Sequence, residues 1–414
     1  MNGTLNSEIE AQLVSPEFIS DPYPLLRRLR EEEPIYWSDA IGGWIMTRYD
    51  DIVVSFKQTS HFSNENRLGQ ALLYLPPEKR ATYKPFADHY ATKSLLHSDP
   101  PDHTRMRTLV TKEFTPRVVE LMRPRIQMLV DALLDAVESR GEMNVLTELA
   151  APLPIGVIAE ILGVAPADRH LFKIWADALL GFQGVNKPNE EDLAKAQQVI
   201  VAMRPYIATM IEERRAQPTQ DLMSKFVAAE ATGERVTETE LISTVVTLFV
   251  AGHETTLSLI ANTMLLLLSH PDQLQILQDN PDLLESAIEE SLRFESPVSR
   301  QPRLMKQDFE LGGKLLKKGQ MVFQMINSAN RDPVYFDAPD AFDIRRQKNR
   351  HMAFGQGVHF CVGAVVARTE AFVALGTVIR RLKDMRLREA VPSWDVTKRN
   401  SRVLNALPIL FARP

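Results

Sequence analysis

The 414-residue chain holds a single cysteine, Cys361, inside the run His351-Met-Ala-Phe-Gly-Gln-Gly-Val-His-Phe-Cys-Val-Gly363. One cysteine forms no intramolecular disulfide, so the thiol is available for ligation or catalysis. Gly355 and Gly357 let the backbone turn tightly and approach a flat ligand, and Gly363 leaves room just after the sulfur. Residues 364–382 are apolar and rich in small side chains, which predicts a buried helix whose positive end lies near Cys361 and favours thiolate over thiol. In a featureless setting a lone cysteine reads as a small buried hydrophobe. Here the glycines make the loop read as one that presents a sulfur.

Three other groups of residues have chemistry in their spacing. Ala251-Gly-His-Glu-Thr-Thr256 interrupts a long apolar helical pattern with a glycine and three polar side chains, Glu254, Thr255 and Thr256. Each costs helix or burial energy, glycine about 1 kcal/mol relative to alanine. The Thr255 hydroxyl can bond a carbonyl of the preceding turn and open a groove. His103 and Arg107 stand four apart on one helix face, where two donors either converge on one anion or form a solvated basic face. Glu290 and Arg293 stand three apart; exposed, such a pair contributes only about 0.2–0.5 kcal/mol and by itself means little.

Phe354, Gly355, Gly357, His359, Cys361 and Gly363 together resemble the haem-ligand loop of the cytochrome P450 superfamily. The resemblance covers residues 20 to 414 with the other motifs in order. It implies haem b bound axially by the Cys361 thiolate, a ligand that favours O–O cleavage. It further implies Ala251 and Gly252 as a flat surface over the macrocycle, and Glu254 and Thr255 as a proton-relay pair. His103, Arg107, Arg303 and His359 become donors to the haem carboxylates. Glu290 and Arg293 become structural support with a third arginine, for which Arg346 is the better match and Arg345 a rival. Val250, Ala251, Thr255, Val298 and Ser299 would line the substrate pocket, as would residues near Leu404. The implied reaction is reductive activation of dioxygen and insertion of one oxygen atom into an apolar small molecule such as a fatty acid, terpenoid, steroid or macrolide. The implied electron donor is a separate ferredoxin or flavodoxin, guided by basic residues such as Arg105, Lys112 and Arg350. A hydrogen-peroxide-dependent peroxygenase of the same fold is the alternative, and a non-catalytic haem-thiolate ligand sensor is a further one.

The elements that must position these residues follow from local patterns. Asp21-Pro-Tyr-Pro opens a helix that ends before Pro34, two short strands follow at 35–38 and 43–48, and a helix begins at Tyr49. Residues 63–96 mix apolar and aromatic residues irregularly, as a loop over a pocket would. From Pro116 to Thr232 nearly everything is helical in pattern, with a glycine- and proline-containing turn at 181–188 that suits a lid. Thr237-Glu-Thr-Glu240 is a capping-box pattern opening a helix to about Ser269, roughly 45–50 Å long. The expected fold is mainly α with a small β-rich part enclosing haem, as one domain over 1–414 with 1–20 as a loosely ordered arm.

Composition agrees. The chain is 44% hydrophobic, which supports a large core, and it has no low-complexity linker or fixed-period repeat. A net charge of -5 gives no general basic footprint for nucleic acid. The polar start lacks the pattern of a secretion signal, and the longest uninterrupted apolar run falls short of the ~20 residues that span a bilayer. The expectation is a cytoplasmic monomer without membrane or nucleic-acid partners.

Overall fold

Thr237 caps its helix as the sequence suggests: its side chain accepts from the Glu240 N–H, and the Glu240 carboxylate accepts from the Thr237 N–H at 2.9 Å. The helix then runs through Glu238–Ser269, 32 residues or roughly 48 Å. It is buried along almost its whole length, and each fully buried Leu, Ile or Phe on it contributes about 1.5–3 kcal/mol. By length and composition it could cross a membrane, yet 78% of its most apolar window lies inside the protein. Here that apolar surface forms the axis of the core.

The computed structural model describes residues 2–183, 189–231, 236–389 and 393–413. Around the central helix pack Pro152–Leu162, Arg169–Gln183, Glu190–Ala216, Leu284–Phe294 and Ala364–Arg381. Pro116–Asp135 covers the last of these. The largest apolar cluster joins these helices through Leu149, Ile158, Phe172, Phe249, Ile260 and Leu375. The turn expected at 181–188 falls, from 184 onward, outside the described residues.

A smaller β-rich part lies beside this helical mass. Strands Ile35–Ser38, Gly43–Met46, Met321–Gln324, Gln301–Met305 and Phe62–Ser63 form a five-stranded sheet in that spatial order. The register places Ser63 opposite Leu304 and Phe62 opposite Met305, which brings the start of the 63–96 region beside Arg303. The fold is mainly α with a small sheet part. The N-terminal segment departs from expectation, since residues 2–20 form two helices, Asn2–Leu13 and Pro16–Ser20. Ile9 and Leu13, four residues apart on one face, are buried against Leu26, Leu29 and Ile45, and that contact orders the segment.

Candidate active site

The cysteine loop is built by two left-handed glycines. Gly355 has φ 69° and Gly357 φ 68°, and a Cβ on Gly357 would stand 2.9 Å from the Phe56 carbonyl oxygen. Glycine is therefore required twice at the turn. The Cys361 N–H then donates to the Phe354 carbonyl at 2.9 Å, closing the loop, and helix Ala364–Arg381 follows. Cys361 is exposed to an internal cavity while being wrapped by protein. Burial pushes its thiol up; the N–H groups of Gly363 and Ala364, Arg107 and Arg368 pull it back only partly. The helix-end effect expected from sequence is present, but in the free thiol desolvation outweighs it.

Phe354, Ala251, Gly252, Thr255, Val298 and Cys361 line this one cavity. Ala251 is the exposed residue of the central helix there, a methyl-sized patch in an otherwise buried element. The missing side chain of Gly252 points at Ile158, 3.6 Å away, so the flat surface is owed to Ala251 rather than to the glycine. The Thr255 hydroxyl donates to the Ala251 carbonyl at 2.8 Å, the local back-bond anticipated from sequence.

Donors gather along one edge. Arg107, Arg303 and His359 line the cavity. The His103 ring lies 4.0 Å from the His359 ring. Both ring nitrogens of His103 and Nε2 of His359 are buried without a hydrogen-bond partner among the described residues. Burial, then Arg107, lowers His103 to about 4; burial, then the surrounding cations, lowers His359 to about 2. Burial and Arg67 lower Arg303 to about 9 against a smaller upward pull from Asp99. So much unsatisfied donor capacity in one corner is costly unless an anion occupies it.

Several expected residues sit elsewhere. Glu254 is 5% exposed and does not line the cavity; its carboxylate is paired with Lys398 Nζ at 2.5 Å. Lys398 does line the cavity. Val250 and Leu404 are packed in the core, Gly355 is buried beside Gln301 and Phe56 and lines a separate depression, and Ser299 is not on the cavity wall. The C-terminal contribution comes instead from Lys398, Asn400 and Ser401. Arg105 is paired with Asp102 and Glu240, so it is no open basic site, whereas Lys112 and Arg350 are exposed.

The support network is complete. Arg293 donates to both Glu290 oxygens at 2.8 and 2.7 Å, and Arg346 Nε lies 3.1 and 3.0 Å from the same two oxygens. Arg345 is exposed and pairs with Asp343, which decides between the rivals. Sequence reasoning missed a second device next door. Glu289 accepts from Arg368 at 2.6 and 2.8 Å and lies 3.0 Å from His351 Nε2, while Arg368 stacks over Phe354 at 4.3 Å. Burial pushes the Glu289 carboxyl up, but Arg368 and His351 outweigh it and hold it at about 2. This ties both flanks of the cysteine loop to the support helix. Its only sequence signal was the adjacent Glu289-Glu290 pair.

A cysteine loop and a threonine-grooved helix thus face one internal cavity inside a mainly helical body with a small sheet. The family model described as "Cytochrome P450" matches residues 170–410. "Cytochrome P450 CYP107DY1" of Priestia megaterium is 38% identical over 406 residues, covering 96% of this chain and 98% of that one. The crystal structure of P450BioI with hexadec-9Z-enoic acid ligated acyl carrier protein superposes with TM-score 0.88 at 35% identity, covering 96% of this chain and 100% of that one. That of myxobacterial CYP267B1 with myristic acid gives 0.87 at 37%, covering 97% and 99%. The chain belongs to the cytochrome P450 family and is a monooxygenase of that family.

Proposed function

We infer that the Cys361 thiolate would hold haem b in a monooxygenase that oxidises an apolar small molecule with two electrons from a separate protein. The observation that carries this reading is the single cavity that Cys361, Ala251, Thr255 and the cationic edge share. The residues fit the cofactor: orphaned nitrogens of His103 and His359, with Arg107 and Arg303, suit two carboxylates, and the Ala251 patch suits a planar ring. Bound haem supplies the redox and oxygen chemistry.

The protein's own residues then have distinct roles. Phe354, Gly355 and Gly363 shape the loop that fixes the sulfur. Thr255 holds a hydroxyl at the cavity with its donor committed to Ala251, leaving its oxygen lone pairs for water or substrate. Glu254, next in the helix, supplies a buried carboxylate paired with Lys398, which lines the cavity. Val298 with Leu95, Ile158 and Leu248 keeps the remaining cavity wall apolar, which favours a hydrocarbon substrate. A fatty acyl compound is the first substrate to test, because two structurally similar proteins were solved with fatty acyl ligands. Exposed Arg350 and Phe360, which line one surface depression, suit the docking of an acidic ferredoxin or flavodoxin.

The test is spectroscopic. Reduced protein with carbon monoxide is expected to show the red-shifted Soret band of thiolate ligation, and Cys361→Ser to lose it. Retention of that band by Cys361→Ser overturns the assignment.

A further inference from the structure

Next to the cationic edge stand two polar side chains that none of the roles above uses. Asn64 is 1% exposed, lines the cavity, and has both amide atoms, Oδ1 and Nδ2, without a partner among the described residues. Arg67 lines the same cavity, with its Nε sealed from solvent and equally unpartnered. Both follow strand Phe62–Ser63, whose pairing to Leu304–Met305 sets them beside Arg303. Their backbone is fixed from behind: the Asn64 N–H and the Ser63 hydroxyl both donate to Asp99, which also pairs with Lys306. Asp99 is thus engaged in holding the turn, and no ion pair to Arg67 occurs among the described residues. A buried amide and an arginine with a buried, unpartnered Nε, both on the cavity wall, constitute a site for an acceptor group.

Charge bookkeeping defines the acceptor. Arg107 and Arg303 suit the two haem carboxylates, and Lys398 is committed to Glu254, so Arg67 is a further cation on this side of a wall that is apolar in most of its remaining part. Burial already depresses Arg67 to about 10, opposed only by Tyr90. The guanidinium fork and the Asn64 amide together suit a planar, bidentate anion. We propose that Asn64 and Arg67 form a carboxylate-binding corner of the cavity, additional to the four donors anticipated from sequence. The carboxylate comes either from the haem or from an amphipathic acid substrate whose chain lies along the apolar wall.

The proposal rests on the haem-thiolate reading, and its test keeps the two apart. Full-length haem-loaded wild type, Arg67→Leu, Arg67→Lys and Asn64→Ala are compared in two measurements. The first is the rate of haem transfer to excess apomyoglobin. The second is binding of tetradecanoic acid and of tetradecanol, read from substrate-induced spin-state shifts or, where neither shifts the spectrum, from equilibrium dialysis. Loss of a charge-assisted contact predicts an effect of about tenfold to a hundredfold in Arg67→Leu, smaller in Asn64→Ala and partly recovered in Arg67→Lys. Faster haem transfer identifies the haem carboxylate as the ligand. Weakened acid binding with alcohol binding unchanged identifies the substrate carboxylate. Should Arg67→Leu fail to fold, Arg67→Lys and Asn64→Ala carry the same readings. Haem transfer and the acid-to-alcohol ratio both within twofold of wild type overturn the corner. Absence of the thiolate band from the wild type itself would instead overturn the reading beneath it.

Discussion

Glu290→Ala is the most severe single test of how the fold holds its cysteine loop. Glu290 and Arg293 have side chains 0% exposed, and Arg346 is 10% exposed. The Glu290 carboxylate accepts from Arg293 Nε and Nη2, Arg346 Nε, Asn349 Nδ2 and the Asp343 N–H. Arg293 in turn donates to the carbonyls of Asn330, Pro339 and Ala341, so one buried pair pins the segment that leads into residues 343–352. Removing the carboxylate strands two guanidinium groups, one of them fully buried. Breaking such a pair costs about 3–5 kcal/mol. Each stranded donor taken alone would cost about 1–3 kcal/mol, and the sum overshoots because the groups share one acceptor and relax together. Against a domain stability of about 5–15 kcal/mol, the loss is about a fifth or more of the total. Urea unfolding of the haem-loaded protein, followed by far-UV circular dichroism and the Soret band, measures it. Arg346→Ala should cost less, because its guanidinium is nearer water and its three carbonyl contacts are exposed. A Glu290→Ala midpoint within about 1 kcal/mol of wild type would refute the reasoning, as would a larger loss in Arg346→Ala than in Glu290→Ala.

Three further outcomes are expected. Thr255→Ala removes the hydroxyl bonded to the Ala251 carbonyl; haem content should stay normal while product formed per electron consumed falls, and unchanged coupling would remove Thr255 from the relay. Lys398→Met leaves the Glu254 carboxylate buried without its cation; a loss of about 3–5 kcal/mol is expected, largely recovered by adding Glu254→Gln, and additive losses in the double variant would show that the pair does not interact. Glu370 is 3% exposed, lines the cavity, has an orphaned Oε2, and burial raises its carboxyl from 4.5 to about 8. A raised acid contributes stability fully below its unfolded value, and that contribution is lost as pH rises through the folded value. Wild-type stability should therefore fall between about pH 4.5 and pH 8 more steeply than that of Glu370→Gln, and parallel slopes there would contradict the burial argument.

What was legible in the chain was local. The two left-handed glycines before Cys361, the Thr237–Glu240 box and the Thr255 back-bond each depend on residues within four positions, and sequence shows such spacings directly. What was not legible joins distant segments. Asn64 and Arg67 gained meaning only when strand pairing set them beside Arg303, and Arg105 stopped being a basic surface residue only when Glu240 folded against it. Choosing Arg346 over Arg345 likewise needed the path of the chain, because neighbouring residues in an irregular segment point in unrelated directions. The N-terminal helix is the reverse case: the Ile9 and Leu13 spacing was present, but polar neighbours masked a two-residue apolar face.

The polar residues of the central helix show how those distant segments act on the site. Several bond within the helix: Thr247 donates to the Ser243 carbonyl, Thr255 to that of Ala251, Thr263 to that of Leu259. Of those that reach beyond it, Glu254 and Asn262 reach the same segment. Glu254 pairs with Lys398, and the Asn262 amide donates to the Arg402 carbonyl at 3.1 Å, while Arg402 binds Glu295 at the end of the support helix. Residues 254 and 262 are eight apart, about two turns, so they share one face. Segment 398–402 therefore grips the central helix at two points on that face and the support helix at a third. Between the grips, Ser299 N–H donates to the Asn400 carbonyl, and Val298 bridges to Ser401. Val298 and Asn400, both on the cavity wall, are thereby joined to the segment that holds Lys398. The cation paired with Glu254 is held by the C-terminal segment and not by the helix that carries the carboxylate.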